Sequence, residues 1–159
     1  MPFVYRFQKV LNYRITKKQE QLEVVKLAEK EVIRIQSEID ENKNTIVVLR
    51  KSMYSSGNIM IERYDQYIRH LYDVINELEE EKYQAIQRLN EEKEKLLELE
   101  KAVKVLEKHK EKLKEQYLDE ENKAEMKRMD EVAGLKHYAK TQERLNEELL
   151  EEGMDLNEY

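Results

Sequence analysis

Stepping by seven along the chain from Leu11 lands on Leu11, Lys18, Val25, Val32, Ile39, Ile46 and Met53, of which six are apolar. Ile15 and Leu22 flank the start of this row, and Ala28, Ile35 and Leu49 flank it later. A second register begins at Ile61 and runs through Ile68, Ile75, Lys82, Leu89, Leu96, Val103 and Lys110. Its companion row, three residues on, is Tyr64, Leu71, Leu78, Ala85, Glu92, Leu99, Leu106 and Leu113. Twelve of these sixteen positions are apolar with Tyr64 set aside, and the rows alternate at three and four residues. That spacing is the a and d seam of a left-handed coiled coil, with Glu and Lys on the solvated flanks. The pattern predicts two long helices, each with one apolar stripe.

Between the two registers lies Ser52-Met53-Tyr54-Ser55-Ser56-Gly57-Asn58, the one cluster of small turn-forming residues in the first 130. The reversal is expected there, with Gly57 at positive φ ending the first helix, Asn58 capping the second and Glu62 in its first turn. The fold class is therefore all-α, a long antiparallel two-helix coiled-coil hairpin with an extended, partly unpaired second helix. A single domain is expected, with helix one over about 4–53, a turn at about 54–59, helix two over about 60–133 and a weaker helix or tail over 134–159. At 1.5 Å per residue the first helix is roughly 70 Å long, and antiparallel pairing sets Phe7 opposite a position near 107. Everything past about 113 overhangs the first helix. From Asp119 to Glu131 apolar residues dwindle to Ala124, Met126 and Met129, and Gly134 follows as a weak helix breaker. A lone helix of this polarity is marginal in water, so a partner is expected for the C-terminal third.

Composition narrows the chemistry. Of 159 residues 40% are charged, and Gly 3, Pro 1, Trp 0 and Phe 2 leave too few turns and bulky core formers for a sandwich, barrel or βαβ domain. Cys 0 removes disulfides, thiol nucleophiles and thiolate metal sites. His70, His109 and His137 lack the Glu three residues before them that di-iron bundles use, and no His-Glu-x-x-His zinc helix or calcium loop occurs. There is no Gly-rich phosphate loop, and no Ser or Thr has a His and a carboxylate at helical spacing. The chain reads as a non-enzyme without cofactor or metal. Arg6 and Lys9 interrupt the N-terminal apolar stretch, which does not read as a signal peptide, and the longest apolar run, Ile46 to Leu49, is too short for a transmembrane segment. A net charge of −6 argues against nucleic acid as the main partner. The ends differ in sign: residues 1–18 hold five basic side chains and no acidic one, whereas 143–159 hold seven acidic and one basic.

Binding surfaces remain. The stretch Phe3-Val4-Tyr5-Arg6-Phe7-Gln8-Lys9-Val10-Leu11 is aromatic and basic, and would suit an acidic protein groove or a membrane surface, unless Phe7, Val10 and Leu11 pack on the second helix near 103–107. At the turn, Tyr54, Tyr64 and Tyr67 cluster with Met53, Met60 and Ile61, a composition that favours partner contact, although Tyr64 on the seam row is equally suited to the core.

The opening Phe7-x-x-Val10-Leu11-x-x-Arg14 resembles the usual start of the flagellar export protein FliJ family. So does Leu106-Glu107-Lys108-His109-Lys110-Glu111-Lys112-Leu113, continued by Glu125, Lys127 and Asp130-Glu131-Val132-Ala133. The tail from about 140 matches no pattern of that family. The resemblance implies a component of the bacterial flagellar type III export apparatus, similar to the central stalk of rotary ATPases. Its implied partners are the flagellar export ATPase ring, the cytoplasmic part of the membrane export gate, and export chaperones. The implied location is cytoplasmic, against the inner face of the cell membrane at the flagellar base. On this reading Phe7, Leu11, Arg14, Asp130 and Glu131 serve the ATPase end, and Tyr54, Tyr64, Ile68 and Leu71 the gate end. Two other classes stay open from the residues alone: a self-assembling coiled-coil scaffold, which predicts an oligomer's mass, and a holdase-type chaperone hairpin, which predicts binding of many unrelated apolar peptides.

Overall fold

The computed structural model describes residues 1–155, which form two helices, α1 (Gln8–Ser55) and α2 (Asn58–Asp155), and no strand among the described residues. Neither Gly nor Pro interrupts α1, and its Glu, Lys, Gln, Arg and Leu residues favour helix, offsetting the weaker propensity of its Val, Ile and Thr positions. The described residues group into two compact units: Arg6–Glu107, and Met1–Tyr5 together with residues 108–155.

The first unit is the hairpin. Ile35, Ile39 and Ile46 of α1 meet Ile68, Leu71, Ile75 and Leu78 of α2, with Leu49, Val74 and Ala85 packed around them. Ile39 is completely enclosed. Each such aliphatic side chain removed from water stabilises the pair by about 1.5–3 kcal/mol before ordering costs are counted. All seven positions of the Leu11 row are shielded in part or in full, and of the second register's sixteen only Ile61 is exposed. The antiparallel pairing is fixed further by cross-helix polar ties. Arg50 donates to the Tyr72 hydroxyl at 2.5 Å, Lys93 pairs with Glu29 at 3.6 Å, and Arg14 donates to the Ala102 carbonyl at 3.1 Å.

The turn departs from expectation. Ser56 ends α1 in extended geometry (φ −96°, ψ 158°), and no residue among those described, Gly57 included, has a positive φ. The Ser56 hydroxyl instead caps the Met53 carbonyl at 3.1 Å, and Gly57 lends its carbonyl to the Met60 N–H at 3.1 Å. Asn58 is the first helical residue and not a cap, so no acidic residue lies in the first turn of α2 and Glu62 falls beyond it. At the other end α1 starts at Gln8, four residues later than position 4, after Phe7 accepts the first helical bond from the Leu11 N–H at 2.9 Å.

In the second unit residues 1–5 are non-helical and lie along α2. Tyr5 is buried, its hydroxyl 2.9 Å from His109 Nδ1 and its ring 5.7 Å from the imidazole. Phe3 tilts against Tyr117 at 5.7 Å. The Tyr117 hydroxyl bonds to the Met1 carbonyl and to Glu121 Oε1, and the chain's amino group lies 3.9 Å from the same carboxylate. That hydrogen bond to Glu121 is the main reason the Tyr117 phenol is pushed up from its ordinary value. Helix α2 continues through Gly134, where a weaker element was expected, up to Asp155. A single interior Gly costs about 1 kcal/mol relative to Ala, which the Leu, Lys, Ala and Glu around it absorb locally. The expectations for residues 156–159 lie outside the described residues.

Candidate interaction surfaces

Phe7, Leu11 and Arg14 share the first two turns of α1, within the hairpin unit. Leu11 is buried in the seam, so in the closed hairpin it supports this face from beneath. Phe7 and Val10 stay about two-fifths exposed, so of the three apolar residues considered for packing on α2 only Leu11 is fully absorbed. Arg6 stacks over Phe7 at 5.8 Å. Arg14 is half-buried, its guanidinium donating across the pair to the Ala102 carbonyl in the interior of α2, whose second lone pair it takes up.

At the turn, the same unit presents a different surface. Tyr54 is 85% exposed, Tyr64 is partly covered, and Ile68 and Leu71 are buried in the main core cluster. Three of the four gate-end candidates thus serve the packing in whole or in part, and Tyr54 carries the exposed face. Ile59 joins it at 90% exposure, followed by half-exposed Met60 and Ile61. Sequence reasoning passed over Ile59 because it lies on neither seam row. Its position beside the turn, in an unbroken Ile-Met-Ile run, was the available signal.

Asp130 and Glu131 belong to the second unit, and the structure gives them no ion pair among the described residues. From Leu118 to Met154 every side chain of α2 is exposed. Met129 and Val132 line a shallow groove with Glu125, Arg128 and Lys136 on this surface. Further on, Leu135, Tyr138, Leu145 and Leu149, with Gln142 between them, keep the three-and-four spacing of a seam that nothing covers. The sequence reading of a weaker helix or tail over 134–159 did not single out this stripe, although its spacing is legible in the residues.

Electrostatics on the hairpin are local. The Glu92 carboxyl is held below its usual range, first by the Gln21 amide and then by Lys95; Gln21 Nε2 reaches both its Oε2, at 2.5 Å, and its backbone carbonyl, at 3.0 Å. This explains how an acidic residue occupies a seam position: a partner amide across the pair satisfies it. No buried side-chain polar atom lacks a partner, and no group of three or more His, Asp or Glu is placed to hold a metal, among the described residues. No helix among them is long and apolar enough to cross a membrane. With these surfaces in place, comparison adds one finding: a family model described as the flagellar FliJ protein matches residues 3–142. No curated protein and no solved structure matches the chain.

Proposed function

From the premise that this chain belongs to the flagellar FliJ protein family, and so is a component of the flagellar export apparatus, we propose that it acts as a stalk for the export ATPase. In this role it seats in the ATPase ring, promotes ring assembly and turnover, and links the ring to the cytoplasmic part of the membrane export gate. The family is a non-enzymatic part of the apparatus, and the chain contributes no chemistry of its own to ATP hydrolysis. The observation that carries the reading is the run of α2 from Leu118 to Met154, in which every side chain, apolar ones included, is exposed. Within it, the apolar stripe of Leu135, Tyr138, Leu145 and Leu149 left in water suits a surface completed by another protein. The hairpin supplies the rigid complement: α1 is 48 residues, about 70 Å, and is held by a continuous seam.

On this proposal Phe7 and Arg14, supported by Leu11, contact the ring from the hairpin unit, and Asp130 and Glu131 do so from the second unit. Tyr54 and Tyr64 meet the gate, with Ile68 and Leu71 keeping the hairpin stiff behind them. The location that follows is peripheral, at the inner face of the membrane beneath the flagellum. The test is ATP hydrolysis by the export ATPase of the same organism, titrated with the chain and with Arg14→Glu and Glu131→Lys variants of unchanged helicity. Stimulation by the unaltered chain, reduced about tenfold in potency by either reversal, supports the stalk. Equal stimulation by both variants removes these residues from the ring contact. No stimulation by any of them removes the stalk and turns attention to solution mass and a scaffold.

A further inference from the structure

The turn end of the hairpin carries an apolar cap with unpaired cations beside it, in a chain that is otherwise acidic. Ile59, Met60 and Ile61 are consecutive and exposed, and Tyr54 stands out from the last turn of α1. Three exposed apolar residues in succession are uncommon on a solvated surface without a use for them. Only Ser56 and Gly57 separate the two helices, so nothing in the connection folds back over these side chains. A Cβ built on Gly57 would meet no atom within 4 Å, which marks the tip as open.

The charges around this cap are of one prevailing sign. Residues 50–63 hold Arg50, Lys51 and Arg63 against Glu62, whereas the whole chain has a net charge of −6. Arg50 is engaged with the Tyr72 hydroxyl and ring, and the nearby Asp65 is neutralised by Arg69 at 3.0 Å. The side chains of Lys51 and Arg63 have no hydrogen bond or ion pair among the described residues, the Lys51 carbonyl alone accepting from the Ser55 hydroxyl at 3.1 Å. One lies on the last turns of α1 and the other on the second turn of α2, so they flank the cap from both helices.

We propose that the hairpin tip is a membrane-docking element: Ile59, Met60 and Tyr54 enter the interfacial zone of an anionic phospholipid bilayer, while Lys51 and Arg63 engage its headgroup phosphates. Apolar side chains reach some 5–10 Å into that zone, tyrosine favours the headgroup level, and lysine and arginine keep their charge at the surface while their stems follow the apolar groups. A protein groove that matched this cap would need acidic walls around an apolar floor. A bilayer with anionic lipid supplies both features without any shape requirement, which suits a convex tip with no cavity. Each cation near such a surface is worth roughly a fivefold gain in partition, so the pair gives about a 25-fold preference for anionic over zwitterionic lipid. The proposal does not depend on the stalk reading, since the lipid contact needs neither ring nor gate; where both hold, Tyr54 serves the bilayer and the gate contact falls to Tyr64.

The experiment is flotation of the full chain with protein-free vesicles of phosphatidylcholine alone and of phosphatidylcholine mixed with the anionic lipid phosphatidylglycerol. Partition is expected to be about 25-fold stronger on the anionic vesicles. Ile59→Asp with Met60→Asp should reduce it about tenfold or more, and Lys51→Glu with Arg63→Glu should abolish the anionic preference, both with helicity unchanged by circular dichroism. Because all four positions are solvent-facing or at the turn, the two double variants give independent routes should one disturb the fold. No preference for anionic vesicles overturns the proposal, and so does undiminished binding by both variants. In the second case the basic stretch of residues 1–18 is the lipid contact instead. Absence of vesicle binding together with tip-dependent capture of an acidic protein surface assigns the tip to a protein partner and likewise overturns it.

Discussion

Two stretches of the same helix, α2, present the same spacing and opposite fates. Ile68, Leu71, Ile75 and Leu78 are buried, while Leu135, Tyr138, Leu145 and Leu149 are each 46–69% exposed. Both follow the alternation of three and four residues that aligns side chains on one face of a helix. The difference is that Ile35, Ile39 and Ile46 of α1 cover the first stripe, whereas nothing among the described residues covers the second. Periodicity therefore creates a stripe, and a partner decides whether it becomes a core. The contrast also separates two settings of an apolar residue here: in the hairpin it is buried and contributes stability, and beyond Leu118 it is surface left in water.

The largest effect that would sharpen this contrast is a cavity. Ile39→Ala, at the fully enclosed position, should cost about 3 kcal/mol in urea unfolding, while Leu149→Ala on the exposed stripe should stay within about 0.5 kcal/mol. Comparable losses at both positions would mean that the second stripe is buried in solution, and the contrast would fail. A backbone probe comes next. Val132→Pro removes a helical hydrogen bond and strains its neighbours by about 3 kcal/mol locally. It should lower the far-ultraviolet helical signal by a few turns and leave the midpoint of hairpin unfolding in place. A midpoint that falls with the helicity would show that the exposed run and the hairpin unfold as one cooperative body.

The smallest expected effect concerns pH, and it is confined to the paired region. Glu92 carries a folded-state pKa lowered by Gln21 first and Lys95 next, so its contribution to stability is present above its ordinary value of 4.5 and is lost as pH falls below that. Thermal unfolding followed from pH 6 to pH 3 should therefore show a slightly shallower acid decline for Glu92→Gln than for the unaltered chain. Identical slopes would mean that the Gln21 contact does not favour the ionised carboxylate.

Much of the architecture is legible in the residues, for reasons that particular positions make plain. Lys18, Lys82 and Lys110 fall on seam rows and remain partly shielded, as their stems can lie along apolar neighbours while the ammonium stays wet. The register of the hairpin follows from the turn at Ser56-Gly57 and the two rows, because an antiparallel pair about a short connection has one way to bury both stripes. The candidate surfaces are less legible. Leu11, Ile68 and Leu71 look like contact residues in a string of letters and are interior in the fold, while Ile59 looks unremarkable and is the most exposed apolar residue at the tip.

Composition and heptad spacing by themselves determined that this chain forms long helices, where it reverses, and that α1 pairs antiparallel with α2, since those outcomes rest on local propensity and on the periodicity of one face. Tertiary structure alone decided the rest. It set residues 1–5 as a non-helical strap against His109 and Tyr117, made the turn without a left-handed glycine, and left Ile59 and the stripe after Leu118 in water. Each of those depends on which surface lies opposite, and periodicity specifies a face without specifying its neighbour.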